Sequence, residues 1–225
     1  MSTTKAIIFD LDGVLIDSLP IHYKSYVKLY SKYGIKYSFD EFITKDITAG
    51  AMNVIPRVLK EHGKDNKKIE AILKEGKKGF RRLWKEKNEK TSRMIIQLHS
   101  GALPLIKSLK KDGYKLAVAS GGTTFFVNHM LRKNKIRKYF SAVVTGENAR
   151  KKPNPDIFLK AARKLGIPPR NCLVIEDAKD GVTAAKRAKM KVIGHYQPKY
   201  RQDLSRADKV VKSMSKINVK MIQKI

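Results

Sequence analysis

The chain has 225 residues, 42% of them hydrophobic, enough for one large or two small globular domains. It has no run of the roughly 18 apolar residues that a membrane-spanning helix needs, and its single cysteine, Cys172, excludes an internal disulfide. Its 49 Lys and Arg face 20 Asp and Glu, a net charge of +29 that attracts anions, but the cations are scattered along helix faces without the interleaved aromatics of a nucleic-acid-binding motif.

The apolar run Ala6-Ile7-Ile8-Phe9 reads as a buried strand, and it ends on Asp10 and Asp12, followed by Gly13. Paired acids at the end of a buried strand are costly unless a metal, a proton or a cation offsets them. Ser18-Leu19-Pro20 is a helix-start signal, with Ser as N-cap and Pro in the first turn. Tyr23, Tyr26, Val27 and Tyr30 then recur at helical spacing up to Gly34, a stripe expected to be core. Ser38 and Glu41 make a capping box for a short second helix. A polar break runs from Lys45 to Gly50. Met52, Ile55, Val58 and Leu59 form a third helical face, expected to be interrupted at Pro56. Asp65 opens a long helix through Ile69, Ile72, Leu73, Phe80, Leu83 and Trp84, its other face rich in Lys and Arg. Residues 16–92 thus read as an all-helical insert of about four helices. They carry 18 basic and 10 acidic residues, net +8; residues 93–225 carry 30 and 8, net +22.

From residue 93 strands alternate with helices. Helix 101–112 ends at Gly113, and strand 114–119 runs into Ser120-Gly121-Gly122, with a helix starting at Thr123. Strand 142–145 precedes Arg150-Lys151-Lys152-Pro153-Asn154-Pro155 and helix 155–165. Leu173-Val174-Ile175 is a buried strand that again ends on paired acids, Glu176 and Asp177. Helix 181–189, strand 192–194, strand 209–211 and a terminal helix from Ser215 complete the chain. Strands separated by single helices predict a parallel sheet. Cys172 sits in an apolar run as a small buried hydrophobe, which fits the reducing cytoplasm.

Four strand-end segments carry the chemistry. Two pairs of carboxylates at one sheet edge are hard oxygen ligands suited to Mg2+. Ser120-Gly121-Gly122 entering a helix N-terminus is an anion cradle. Lys152, fixed ahead of two prolines, is a point charge for phosphate. In order and spacing these segments resemble the four motifs of the haloacid dehalogenase superfamily, in the branch that contains phosphoglycolate phosphatase, sugar-phosphate phosphatases and β-phosphoglucomutase.

The resemblance spans the chain and implies a Rossmann-like parallel α/β core (1–15 and 93–225) with a helical cap (16–92) inserted after the first strand. It implies Asp10 as the nucleophile that forms an aspartyl-phosphate and Asp12 as general acid and base. Asp10, Asp177 and the carbonyl of Asp12 would hold Mg2+, with Glu176 ligating or orienting bound water. Ser120, the Gly121 N–H and Lys152 would bind the phosphoryl group. Asp180 is expected either near the metal site or as a helix N-terminal acid. In the insert, His22 and Thr48 fall where this branch contacts its substrate; His62, His99, His129 and His195 read as structural. The segment Ile47 to Met52 lacks the arginine of the mutase, and Gly122 lacks a side chain for a second phosphate, which favours a hydrolase. Lys151 stands where the branch often has glycine. The expected partner is a small phosphorylated metabolite, met by a monomer with no membrane contact. The mutase is the alternative, and a basic nucleic-acid binder on the same scaffold is the rival from another class.

Overall fold

The computed structural model describes residues 4–46, 51–74, 96–200 and 202–225. The chain divides into two compact units, Met1–Ser18 with Ile96–Ile225, and Leu19–Ile95. Residues 16–18 belong with the sheet unit for a local reason. Ile16 bridges Leu98, the His99 N–H donates to the Leu15 carbonyl at 2.9 Å, and the Ser18 hydroxyl donates to Asp12 Oδ1.

The chain enters through β1 (Ala6–Phe9), fully buried, and then builds the helical unit. Helix α1 (Leu19–Ser31) is followed by α2 (Phe39–Glu41), a single turn continued by a π-helical turn at Phe42–Asp46. The Ser38 hydroxyl accepts from the Glu41 N–H at 3.0 Å, as a capping residue does. The tyrosine stripe is core: Tyr26 and Tyr30 stack at 6.0 Å, and Tyr37 meets both edge-on. Asp46, buried at the end of the π turn, accepts from Tyr37 Oη and from Arg57 Nη2, both at 2.5 Å. Helix α3 (Ala51–Glu61) runs through Pro56 without a break, contrary to the expectation. Pro56 removes one backbone hydrogen bond, but Val54, Ile55, Val58 and Leu59 bury one face and hold the helix. Asp65 caps helix α4 (66–74) by accepting from the Lys68 N–H at 2.7 Å. The expected break at Thr48-Ala49-Gly50 and the apolar positions Phe80, Leu83 and Trp84 lie outside the described residues.

The sheet unit resumes with α5 (Ala102–Lys111), β2 (Lys115–Ser120), α6 (Thr124–Lys133), β3 (Ala142–Thr145) and α7 (Asp156–Leu165). It continues with β4 (Cys172–Glu176), α8 (Lys179–Arg187), β5 (Lys191–His195), β6 (Lys209–Val211) and α9 (Val219–Lys224). The six strands form one parallel sheet in the order β3-β2-β1-β4-β5-β6. Alternate residues face opposite sides. Ala6, Ile8, Ala117, Ala119 and Val174 pack with Phe158, Ala161, Ala184 and Ala185 of α7 and α8, and α5 and α6 pack against β2 and β3 outside that cluster. Apolar residues on both faces of β1 and β4 follow from helices covering both sides. Cys172 is buried and free, and burial pushes its thiol up to about 11.

Two helix starts differ from the sequence pattern by two residues or more. Helix α8 begins at Lys179 rather than 181: the Val182 N–H donates to the Ala178 carbonyl at 2.9 Å, which puts Gly181 inside the first turn. The C-terminal segment starts with a 3-10 turn, Met214–Lys216, and α9 begins only after Asn218, whose side chain accepts from the Met221 N–H at 2.9 Å. Among the described residues no helix is long and apolar enough to cross a membrane.

The chain places β1, β2 and β3 in succession on one side and then returns to lay β4 against the other side of β1. At such a reversal the connections leave in opposite directions and open a crevice at the carboxyl ends of the strands. Asp10 follows β1 there, Glu176 ends β4 and Asp177 follows it.

Candidate active site

Register brings the motif residues to one edge. Phe9 pairs with Val118 on one side and Ile175 on the other, so Asp10 lies level with Ala119 and Glu176. Ser120 ends β2 one residue further along. The Asp10 N–H continues the ladder, donating to the Ile175 carbonyl at 3.0 Å. Lys152, on the loop before α7, completes the group: its Nζ lies 2.6 Å from Asp10 Oδ1 and 2.5 Å from Glu176 Oε1. The ammonium also stands 5.1 Å from the centre of the Phe158 ring.

Three carboxylates and one ammonium share this buried space. Burial pushes the Asp10 carboxyl up; Lys152 opposes this, and Glu176 and Asp12 add to it. Asp177 is raised well above the usual carboxylate range by burial and then by Glu176 and Asp10. Burial works against the charge on Lys152, yet Asp10 and Glu176 outweigh it and raise its affinity for a proton. One lysine therefore does not neutralise the group, and the remaining excess of negative charge suits a divalent cation.

Glu176, expected to ligate or orient metal-bound water, has both carboxylate oxygens committed. Oε1 receives Lys152, and Oε2 accepts from the N–H groups of Asp177 and Ala178 at 2.6 and 2.7 Å. Its visible work is to hold Lys152. Gly181 makes room for it: a Cβ there would lie 1.7 Å from Glu176 Oε1. Asp12 is partly exposed, with its Oδ1 receiving the Ser18 hydroxyl. Gly13 has φ +76, and a Cβ there would meet Asp177 Oδ2 at 2.0 Å, so both conformation and space require glycine.

Ser120 is fully buried, and its Oγ accepts from the Gly122 N–H at 3.1 Å. That bond uses one N–H of the expected cradle. The Gly121 backbone stays exposed at the start of the turn, and Thr123 caps α6 through the Phe126 N–H. Asp180 is exposed in the first turn of α8, the placement of a helix N-terminal acid. Lys151 is exposed, and Arg150 pairs with Asp156 at 2.7 Å. His22 lies partly exposed in α1 of the helical unit, and Thr48 lies outside the described residues.

Sequence reasoning missed the end of β5. His195 Nδ1 donates to the Gly13 carbonyl at 2.8 Å, and Gln197 Nε2 donates to the same oxygen at 2.9 Å. Gln202 Nε2 donates to Asp177 Oδ2 at 2.9 Å. No local signal marks these glutamines, because their partners lie far away in sequence. The His195 ring packs edge-on against His99 at 5.0 Å. His62 bonds the carbonyl of Val58 within α3, and His129 stacks on Phe125.

Among the described residues no three His, Cys, Asp or Glu groups form a ready-made metal cage. The donors nonetheless fit Mg2+, which is commonly held by one or two carboxylates while it keeps several waters. Asp10 and Asp177 supply hard oxygens whose burial and mutual repulsion a cation would relieve.

The model of the family described as "Haloacid dehalogenase-like hydrolase" matches residues 7–195, and the chain belongs to that family. Fructose-1-phosphate phosphatase YqaB of Escherichia coli is 30% identical over 194 residues, 83% of this chain and 94% of that protein. Beta-phosphoglucomutase of Bacillus subtilis is 30% identical over 225 residues, 97% of this chain and 93% of that one. Among solved structures, CbbY from Rhodobacter sphaeroides in complex with phosphate superposes with a TM-score of 0.79 at 27% identity, covering 99% of this chain and all of that one.

Proposed function

We propose that this chain, a phosphoric monoester hydrolase of the haloacid dehalogenase-like family, is a Mg2+-dependent phosphatase for a small sugar phosphate and works through an aspartyl-phosphate. The observation that carries this reading is the pairing of Lys152 with Asp10 at 2.6 Å across 142 residues of sequence. It puts a partly buried cation beside a buried carboxylate at the carboxyl edge of a parallel sheet.

Carboxylates are weak nucleophiles, but phosphoryl transfer depends mainly on alignment and on neutralising charge. An Asp10 oxygen attacks phosphorus as the bond from phosphorus to the sugar oxygen breaks. Asp12, two residues on, gives its proton to that leaving oxygen. It then takes a proton from a water that attacks phosphorus, and inorganic phosphate leaves with Asp10 restored. The Ser18 hydroxyl orients Asp12 for both transfers. The phosphoryl oxygens fall to Lys152, the Ser120 hydroxyl and the Gly121 N–H. Glu176 keeps Lys152 in place. Asp10, Asp177 and the Asp12 carbonyl would hold Mg2+, which when bound offsets the charge of the phosphoryl group. Residues 19–95 are assigned as the cap that selects the leaving group.

The fructose-1-phosphate phosphatase relative supports a sugar phosphate as substrate. The mutase relative makes phosphosugar transfer the second reading. The test is an assay of phosphoglycolate, hexose phosphates and β-glucose 1-phosphate with its bisphosphate, each with and without Mg2+. Release of inorganic phosphate that needs Mg2+ and disappears in Asp10→Asn is the expected result. Glucose 6-phosphate formed without phosphate release would make the chain a mutase, and full turnover by Asp10→Asn would remove Asp10 from the chemistry.

A further inference from the structure

We propose that Gln202 is a positioning residue that sets the affinity of the site for Mg2+ by fixing the carboxylate of Asp177. This rests on the reading of Asp177 as a Mg2+ ligand. The atoms form a chain of bonds. The Gly13 carbonyl accepts from Gln197 Nε2 at 2.9 Å, the Gln197 backbone N–H donates to Gln202 Oε1 at 2.6 Å, and Gln202 Nε2 donates to Asp177 Oδ2 at 2.9 Å. A backbone N–H can only donate, so it identifies the Gln202 atom it meets as the oxygen. The amide N–H2 must then face Asp177.

Asp177 Oδ2 is enclosed on two sides. Gln202 donates to it, and Gly13 packs so closely that a Cβ there would lie 2.0 Å away. Fixing one oxygen of a carboxylate fixes the direction of the other. Among the described residues no bond to Oδ1 accompanies the one to Oδ2, so Oδ1 is the oxygen left for a cation. The donor is suited to this task by its charge. A lysine at 202 would compete with a divalent cation, and a glutamate would add a further acid to a group already in excess. A neutral amide orients the carboxylate without changing the charge that attracts the metal. Gln197 is itself buried, so its amide is tied to the Gly13 carbonyl and the strap is anchored at both ends. The end of β5 thereby connects the loop after β1 to the end of β4, two segments that each carry a proposed Mg2+ ligand.

The test is calorimetric titration of the full chain with MgCl2, without substrate, for the parent protein and Gln202→Met, which keeps the length and loses the donor. Removing a hydrogen bond that orients a metal-ligating carboxylate weakens binding by about 10- to 100-fold. The expected result is a rise of that size in the Mg2+ dissociation constant. The metal-free variant should lose stability with the bond to Asp177 and melt at a lower temperature, so both proteins are titrated well below their melting temperatures. Phosphatase kcat should recover at saturating Mg2+, which a general loosening of the fold would not allow. Equal Mg2+ affinity in the two proteins overturns the role of Gln202 and leaves the phosphatase reading standing. No Mg2+ binding by the parent protein overturns both. If Gln202→Met is poorly folded, Gln202→Asn, with the amide one methylene short of Asp177, is measured the same way.

Discussion

Gly181→Ala sets two effects of opposite sign against each other. Gly181 is inside α8, where alanine is intrinsically favoured over glycine by about 1 kcal/mol. An exposed site would therefore gain stability. Here the new Cβ would lie 1.7 Å from Glu176 Oε1 and 2.0 Å from Glu176 Cδ, and the obstacle is a carboxylate held at both oxygens. To make room, Glu176 must give up bonds to the N–H groups of Asp177 and Ala178, to Lys152, or to all three. Hydrogen bonds to a charged group contribute about 1.5–3 kcal/mol each. Losing two of them costs about 3–6 kcal/mol, several times the helical gain. The variant should therefore be destabilised by about 2–5 kcal/mol in denaturant unfolding. Its kcat on an aryl phosphate should also fall, because Lys152 loses one of its two holders. A Gly181→Ala protein as stable as the parent or more so would mean that the Glu176 carboxylate moves aside without loss, and would refute this account.

Lys152→Met should leave Asp10, Glu176 and Asp177 buried without their cation. Breaking one partner of a buried ion pair costs about 3–5 kcal/mol. The loss should be largest at neutral pH without metal and smaller in the presence of Mg2+, as read by thermal unfolding at several Mg2+ concentrations; an unchanged melting temperature would argue against the pairing. The His99 ring supplies a pH effect. Among the described residues its buried Nε2 has no partner, and burial, reinforced by His195, lowers its pKa to about 4. The unfolded chain, with an ordinary His pKa near 6.5, then binds more protons between about pH 6.5 and 4. Stability is present above that window and is lost as pH falls through it, by about 1–2 kcal/mol once partial exposure is allowed for. His99→Phe should flatten this part of the stability profile, and a profile unchanged by the substitution would show that His99 titrates normally.

Much of the site was legible because its residues sit at the ends of short apolar runs. Ala6–Phe9 and Leu173–Ile175 have no polar residue to expose, so the acids that follow had to stand at a sheet edge. Ser38, Thr123 and Asp65 were readable as helix starts because a cap bonds within three residues of itself. Pro56 misled for the same reason in reverse. Its local preference favours a break, but buried neighbours outside the local window decide the outcome.

The sequence by itself determined the alternation of strands and helices, the helical insert after β1 and the residue types available for phosphoryl chemistry, since each depends on spacing along the chain. Only the tertiary structure decided which strands adjoin, with β4 returning to the side of β1. That return put Lys152 between Asp10 and Glu176, so that Glu176 serves the lysine. It also brought Gln197 to Gly13 across 184 residues. Contacts at that separation are made by how layers pack, and packing leaves no periodic trace in the amino-acid order.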